Sequence, residues 1–362
     1  MRLLALLLVL CALLVPGAAR AAACSPLNCA PSQFALAHGT MLAVRGSVDK
    51  PIRVIDLRTG RTLWRLPAGI VTGDVLVHQD GSLLTWFDAA RGTRSGDRVL
   101  ALRGTYSLVG TSQDASRAVL ARTQRRSTTF AIVPRVGVER RIVLGGSTWS
   151  FDALRGSKLF LIRTLANGYQ VRLYDLATDR LVPTPLKSPG ESATIQGVPM
   201  QRASSPDGRF LFTLYVAGNG GAMIHQLDLA GGVARCIDLP GSGDFGSAVT
   251  WAIVPDPDGR TLWAVGAGYG RVVALDVATH RIRDSYAFQR ANWVPNAGVA
   301  VLSPDGERIA YTDAEHIWFV DLAARKLVPG PPRTAIAFAY APDQSRLWVV
   351  GRRSRVSSLP LP

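Results

Sequence analysis

The sequence predicts an all-β fold, a β-propeller of four-stranded antiparallel blades, from three recurring features. A polar turn followed at once by a short apolar run occurs eight times, at His38-Gly39, Asp80-Gly81, Asp114-Ala115, Arg155-Gly156, Asp207-Gly208, Asp258-Gly259, Asp305-Gly306 and Asp343-Gln344. The runs after them include MLAVRG, SLLTWF, KLFLIR, RFLFTLYV and RLWVVG. Successive turns are about 44 residues apart, the length of one propeller blade. A third segment in five of the units ends on an aspartate, at Asp56, Asp175, Asp228, Asp276 and Asp321.

Each element follows from turn chemistry and period-two patterning. Before each turn lies another short apolar stretch, such as DVLVHQ, TWSFDAL or AGVAVLSPD, giving a first strand. In Ser-Pro-Asp-Gly the proline fixes φ, the aspartate bonds the local backbone and the glycine accepts positive φ. The strand-end Asp closes the third-to-fourth hairpin, and segments such as TLWRLPA supply the fourth strand. Asp-Pro-Asp-Gly at 256–259 lacks the further carboxylates and distal Glu of a calcium loop, so it reads as a turn. Trp86, Trp263, Trp318 and Trp348 fall inside apolar strands and are expected to pack between blades. Eight blades are counted, with seven possible if the short unit near 114–146 merges with a neighbour. The last unit lacks an obvious fourth strand, which the segment between Cys24 and Gln33 could supply.

Two domain assignments follow. Residues 1–23 read as a signal peptide, with Arg2 as the charged region, Leu3–Val15 as an apolar run and small residues after Pro16-Gly17. Cleavage fits equally after Ala21 or Ala23. That run is too short to span a bilayer, and no later segment is long enough to be a transmembrane helix. Residues 24–362 form a single propeller domain, expected to be extracytoplasmic, either secreted or associated with the cell envelope. In an oxidising compartment Cys24 and Cys29 can close a disulfide, leaving Cys236 free and buried. Alternatively Cys24 carries a lipid anchor, although Ala21 stands where lipoprotein signals usually have Leu.

The units SPDGRFLFTLYVAGNGGAMIHQLDLA and SPDGERIAYTDAEHIWFVDLAARKLV resemble bacterial WD-like and YVTN-type propeller repeats. The first half of each also resembles the repeat of TolB propellers. The resemblance covers nearly the whole mature chain and implies the fold. Such propellers include scaffolds, surface binding proteins, lactonases and quinoprotein dehydrogenases, so it does not select an activity.

Function must therefore be sought outside the repeat. The precursor carries a net charge of +15, almost all from Arg. That balance favours anionic neighbours such as envelope polymers or lipid headgroups. Nucleic acid is not expected, because no base-stacking aromatics accompany the charges. No G-x-S-x-G, H-E-x-x-H, Walker or EF-hand pattern occurs, and Gly266–Gly270 reads as a hairpin between two strands. His38 and His78 are placed in equivalent turns, and His225, His280 and His316 lie elsewhere on the ring, so no metal site is expected. A quinoprotein-like enzyme would draw on Glu191, Asp244 or Asn296 in the central funnel, but no motif supports them. No cofactor is expected.

One constellation emerges from placing loops on the ring. The second-to-third-strand loops of units eight, one, two and three carry Arg352, Arg353 and Arg355; Lys50; Arg91 and Arg94; and Arg125 and Arg126. These predict a basic crescent on one face, diluted by Asp49, Asp88 and Asp97. The same face receives three long connections at 184–202, 240–250 and 289–298, which contain Phe245 and Trp293. The expectation is a monomeric, non-catalytic propeller that binds a protein or an anionic envelope polymer on that face. The alternatives are a metal-dependent lactonase- or quinoprotein-like enzyme and a structural scaffold in an envelope complex.

Overall fold

Hairpins of β-branched and aromatic segments, closed by aspartate turns, build eight separate sheets. The computed structural model describes residues 32–35, 41–45, 50–241, 243–288, 298–312, 316–333, 335–351 and 355–361. Blade 1 comprises β1 (Ser32–Ala35), β2 (Met41–Arg45), β3 (Ile52–Asp56) and β4 (Thr62–Leu66). Blade 2 comprises β5 (Ile70–Thr72), β6 (Val75–Asp80), β7 (Leu83–Asp88) and β8 (Thr93–Val99). Blade 3 holds β9 (Ser107–Thr111), β10 (Arg117–Gln124), β11 (Ser127–Pro134) and β12 (Arg140–Gly145). Blade 4 holds β13 (Trp149–Arg155), β14 (Lys158–Leu165), β15 (Gly168–Asp175) and the two-residue β16 (Arg180–Leu181). Blade 5 runs through β17 (Val198–Ser204), β18 (Phe210–Val216), β19 (Ala222–Asp228) and β20 (Val233–Leu239). A short helix α1 (Phe245–Ala248) precedes blade 6, which is β21 (Trp251–Pro255), β22 (Thr261–Gly266), β23 (Arg271–Asp276) and β24 (Arg281–Ala287). Blade 7 is β25 (Val299–Leu302), β26 (Arg308–Thr312), β27 (His316–Asp321) and β28 (Lys326–Pro332). Blade 8 has three strands among the described residues, β29 (Ala337–Tyr340), β30 (Arg346–Val350) and β31 (Val356–Pro360).

The protein is thus an eight-bladed propeller, and residues 107–145 form a blade of their own. All strand pairs are antiparallel neighbours in sequence. The first strands of successive blades lie side by side, which places them innermost. Apolar clusters fill the spaces between neighbouring sheets, including one between blades 8 and 1 built from Leu42, Val44, Ile55, Leu57, Ala339 and Trp348. There the ring closes, with the Trp348 indole N–H donating to Leu57 O at 2.5 Å. Gly60 lies against the same ring, has φ +70° and leaves no room for a Cβ. Ser32 and Gln33 belong to β1 and pair with Arg45 and Val44 in blade 1, not with blade 8. Residues 24–31, and with them Cys24 and Cys29, lie outside the described residues.

The turns use the predicted chemistry. Ser205 Oγ donates to Asp207 Oδ1 at 2.6 Å, and the same carboxylate accepts Arg209 N–H at 2.9 Å. Ser303 and Asp305 repeat the pattern. In the 256–259 turn, Asp258 accepts the amides of Arg260 and Thr261. Trp86, Trp263, Trp318 and Trp348 all lie in or against inter-blade clusters.

Blade 2 corrects the strand assignment made from sequence. Its first strand is only Ile70–Thr72, followed by the tight turn Gly73-Asp74, too short to register as an apolar run. DVLVHQ therefore contributes the second strand, SLLTWF the third, and Asp80-Gly81 joins second to third. His78 consequently sits in β6, with Nδ1 2.6 Å from Ala68 O, and not in a turn. Asp88 is the strand-end aspartate of this blade: Gly92 N–H donates to its carbonyl at 2.8 Å and Arg91 N–H to its carboxylate at 2.9 Å. Asp56 holds Gly60 and Arg58 in the same way.

Candidate functional site: the long-loop face and its cleft

Antiparallel strands running from the inside outwards fix which loops share a face. First-to-second and third-to-fourth hairpins lie on one face, the turn face. Second-to-third loops and blade-to-blade connections lie on the other, the long-loop face. The long connections are 182–197, 240–250 and 288–298, the last mostly outside the described residues. The first is shorter than expected because 198–202 belong to β17.

A cleft of about 850 Å³ opens on this face between blades 4 and 5. One wall is the blade 5 sheet. The register pairs Tyr215 with Met223, Met223 with Asp238, and His225 with Cys236, which puts these side chains on the one sheet face turned to blade 4. The other wall is the 182–197 connection, which runs along β15 in place of a long fourth strand. Pro183 and Pro185 have no N–H to offer a ladder, and β16 accordingly stops at two residues. The connection is nonetheless tied down. Val182 N–H donates to Leu173 O at 2.8 Å, and Tyr169 and Ile195 exchange backbone bonds of 3.0 and 2.8 Å. Tyr169 Oη donates to Gly197 O at 3.0 Å, and Ser188 Oγ to Ala234 O at 2.8 Å. Glu191 is held over the cleft by the Cys236 amide, which donates to its carboxylate at 3.2 Å.

Blades 5 and 6 brace the same face. Asp244 caps α1 by accepting the Gly246 and Ser247 amides at 3.0 and 2.9 Å. Gly268, in the loop between β22 and β23, lets that loop approach the Ser247 backbone where a Cβ would lie 2.6 Å from Ser247 Cα. Tyr269 reaches back to donate to Gly220 O at 2.6 Å, joining the loops of both blades.

Burial sets the protonation states of the cleft's titratable side chains. Burial, then the Glu191 and Asp238 charges, pushes the Cys236 thiol up to about 11, so it is protonated at neutral pH. Burial lowers the His225 imidazole to about 4, leaving it neutral, and its Nε2 has no hydrogen-bond partner. Burial, followed by the Asp152 charge, pushes the Tyr215 phenol up. Beneath the cleft Asp152 and Arg202, on the inner strands of blades 4 and 5, form an ion pair. The cleft thus offers carboxylates, amides and an aromatic edge, with no activated nucleophile among its described groups.

The residues singled out from sequence are distributed as follows. Lys50 precedes β3, Arg125 and Arg126 form the β10–β11 tip, and Arg355 precedes β31, all on the long-loop face. Arg352 and Arg353 lie outside the described residues. Arg91 and Arg94 are a correction: they belong to the β7–β8 hairpin on the turn face, because blade 2 is offset by one strand. They are also occupied locally, Arg91 by Asp88 at 2.8 Å and Arg94 by Asp97. The described residues therefore do not form a continuous crescent on one face. Phe245 stands on α1, 43% exposed on the long-loop face, while Trp293 and Asn296 lie outside the described residues. Glu191 lines the cleft, not a central funnel, and Asp244 is engaged as a helix cap. Cys236 is free, as expected, but half-buried. Sequence reasoning missed Tyr215, Met223 and Asp238, since alternate positions of a strand carry no loop signal.

No protein-family model matches this chain, and no curated protein matches it. Among solved structures it is similar to the Dos1 propeller at 10% identity, covering 93% of each chain with a TM-score of 0.52. It is similar to the dihydro-heme d1 dehydrogenase NirN, solved in complex with DHE, at 12% identity, covering 92% of this chain and 78% of that one with a TM-score of 0.52. It is also similar to AztD from Citrobacter koseri at 12% identity, covering 84% of this chain and 90% of that one with a TM-score of 0.52. At these identities the likeness is one of fold. The molecule is a β-propeller with a ligand-sized cleft on its long-loop face.

Proposed function

We propose that this chain is an exported, non-catalytic propeller that binds a partner through the long-loop face of blades 4 to 6. The observation that carries the reading is the coincidence of features there. Three consecutive long connections, a cleft of about 850 Å³ and a braced α1 share one face of an otherwise regular ring. The protonated thiol and neutral imidazole support recognition without chemistry. Glu191, Asp238 and the neighbouring amides suit a protein segment that presents hydrogen-bond donors or a cationic side chain. The signal-peptide pattern of residues 1–23 supports export.

The test is affinity capture from a cell-envelope extract with wild type, Asp238→Lys and Phe245→Ser, alongside Asp343→Ala on the turn face. A partner retained by wild type and Asp343→Ala but lost from both long-loop-face variants is the expected result. A partner retained by all four proteins would move the site elsewhere.

A further inference from the structure

The outer rim of blades 2 and 3 carries the most exposed apolar side chains of the described molecule. Val136 and Val138, at the tip of the β11–β12 hairpin, are 87% and 88% exposed; Val99 and Val143 are 74% and 69%. Contacts between β8 and that hairpin hold arginines against it. Arg98 Nη1 donates to Pro134 O at 2.9 Å, Arg141 Nη2 donates to Ala101 O at 3.1 Å, and the Arg135 guanidinium lies over Gly96. Val143 shares one face of β12 with Arg141, while Val99 projects from the opposite face of β8 to Arg98. The guanidinium groups of Arg98, Arg135 and Arg141 therefore meet where β8 packs on the hairpin that carries Val136 and Val138. Two carboxylates stand on the same rim, Asp97 paired to Arg94 and Glu139 paired to Arg141.

Charge is polarised in the same direction around the whole ring. Residues 24–145 and 337–362, which build blades 8, 1, 2 and 3, hold 21 Lys and Arg against 9 Asp and Glu. Residues 146–336 hold 18 against 17. Polyanion binding alone would not require apolar side chains held out in water on a Val-Gly-Val tip. An anionic bilayer uses both features: headgroups attract the arginines, and the interface takes up the valines.

We infer that the blade 2–3 rim docks on an anionic lipid surface, with Val136 and Val138 entering the headgroup layer and the rim arginines contacting lipid phosphates. Such docking leaves the long-loop face accessible to a partner. The experiment is co-sedimentation of the full chain with phosphatidylcholine vesicles, with and without about one-third phosphatidylglycerol. The variants are Val136→Ser/Val138→Ser, Arg135→Glu and, on the other face, Asp238→Lys. Expected is salt-sensitive binding to the anionic vesicles only, weakened about tenfold in the valine and arginine variants and retained in Asp238→Lys. Because both valines are exposed, an unchanged thermal midpoint checks that the serine variant is folded. Absence of binding to anionic vesicles overturns the inference. So does equal binding by wild type and the serine variant with soluble polyphosphate displacing both, which would make the rim a polyanion site.

Discussion

Blades 1 to 3 and blades 4 to 6 are built from the same repeat yet solve different problems. The first group is joined by short connections and keeps its charges on the outside. The second is joined by long connections and takes charge inside. Among the described residues, every buried Asp, Arg and His lies in blades 4 and 5: Asp152, Arg172 and His225. Arg172 is accommodated by donating to the Val182 and Pro183 carbonyls, both at 2.8 Å, so the long connection helps satisfy a buried cation. Buried ionic groups are poor sources of net stability, and their concentration beside the 182–197 connection and the cleft marks a region shaped by more than packing.

The basic half depends on apolar closure, so Trp348→Ala, which also removes the bond to Leu57, should cost about 3–5 kcal/mol in a denaturant melt. A loss below about 1 kcal/mol would mean that the blade 8–blade 1 seam contributes little. In the other half, Arg202→Met leaves the Asp152 carboxylate, only 4% exposed, without its cation; the expected cost is about 3 kcal/mol. Replacing both partners with apolar residues should recover much of that loss, which a purely additive reading of the ion pair does not allow.

The third effect depends on pH. His225 has a folded-state value of about 4 against an ordinary 6.5, so the unfolded chain binds the extra proton between those values. Its contribution is fully present above about pH 6.5 and is lost as pH falls towards 4, on the order of 2–3 kcal/mol. Wild type should therefore lose more stability than His225→Phe between pH 7 and pH 4.5, as read by urea midpoints. Parallel losses would place the acid-sensitive groups elsewhere.

The two halves also differ in how well the sequence announces them. Among the described residues, the turns at Asp114, Arg155, Asp207, Asp258, Asp305 and Asp343 join first to second strands as expected, and Asp207 or Asp305 bonds its own backbone and needs no tertiary help; His38-Gly39 lies outside the described residues. Blade 2 escaped because a three-residue first strand has no measurable period, although Asp88 followed by Ala-Ala-Arg-Gly repeats the pattern at Asp56. The long connections were legible as composition. The cleft was not: Tyr215, Met223 and Asp238 converge only through cross-strand register and the course of the 182–197 strap that docks along β15.

The smallest expected effect tests the offset of blade 2 directly. On the turn face, Arg94 and Asp97 form an exposed pair three residues apart, whose attraction is screened by water and opposed by side-chain ordering. A double-mutant cycle with alanine at both positions should return less than about 1 kcal/mol of coupling, shrinking further in high salt. Arg91→Glu/Arg94→Glu should likewise leave long-loop-face binding unchanged, whereas Arg125→Glu/Arg126→Glu alters charge on that face. If the Arg91 and Arg94 change instead disturbed that binding as strongly as the Arg125 and Arg126 change, the two hairpins would have to share a face, and the strand order of blade 2 would be the first thing to revise.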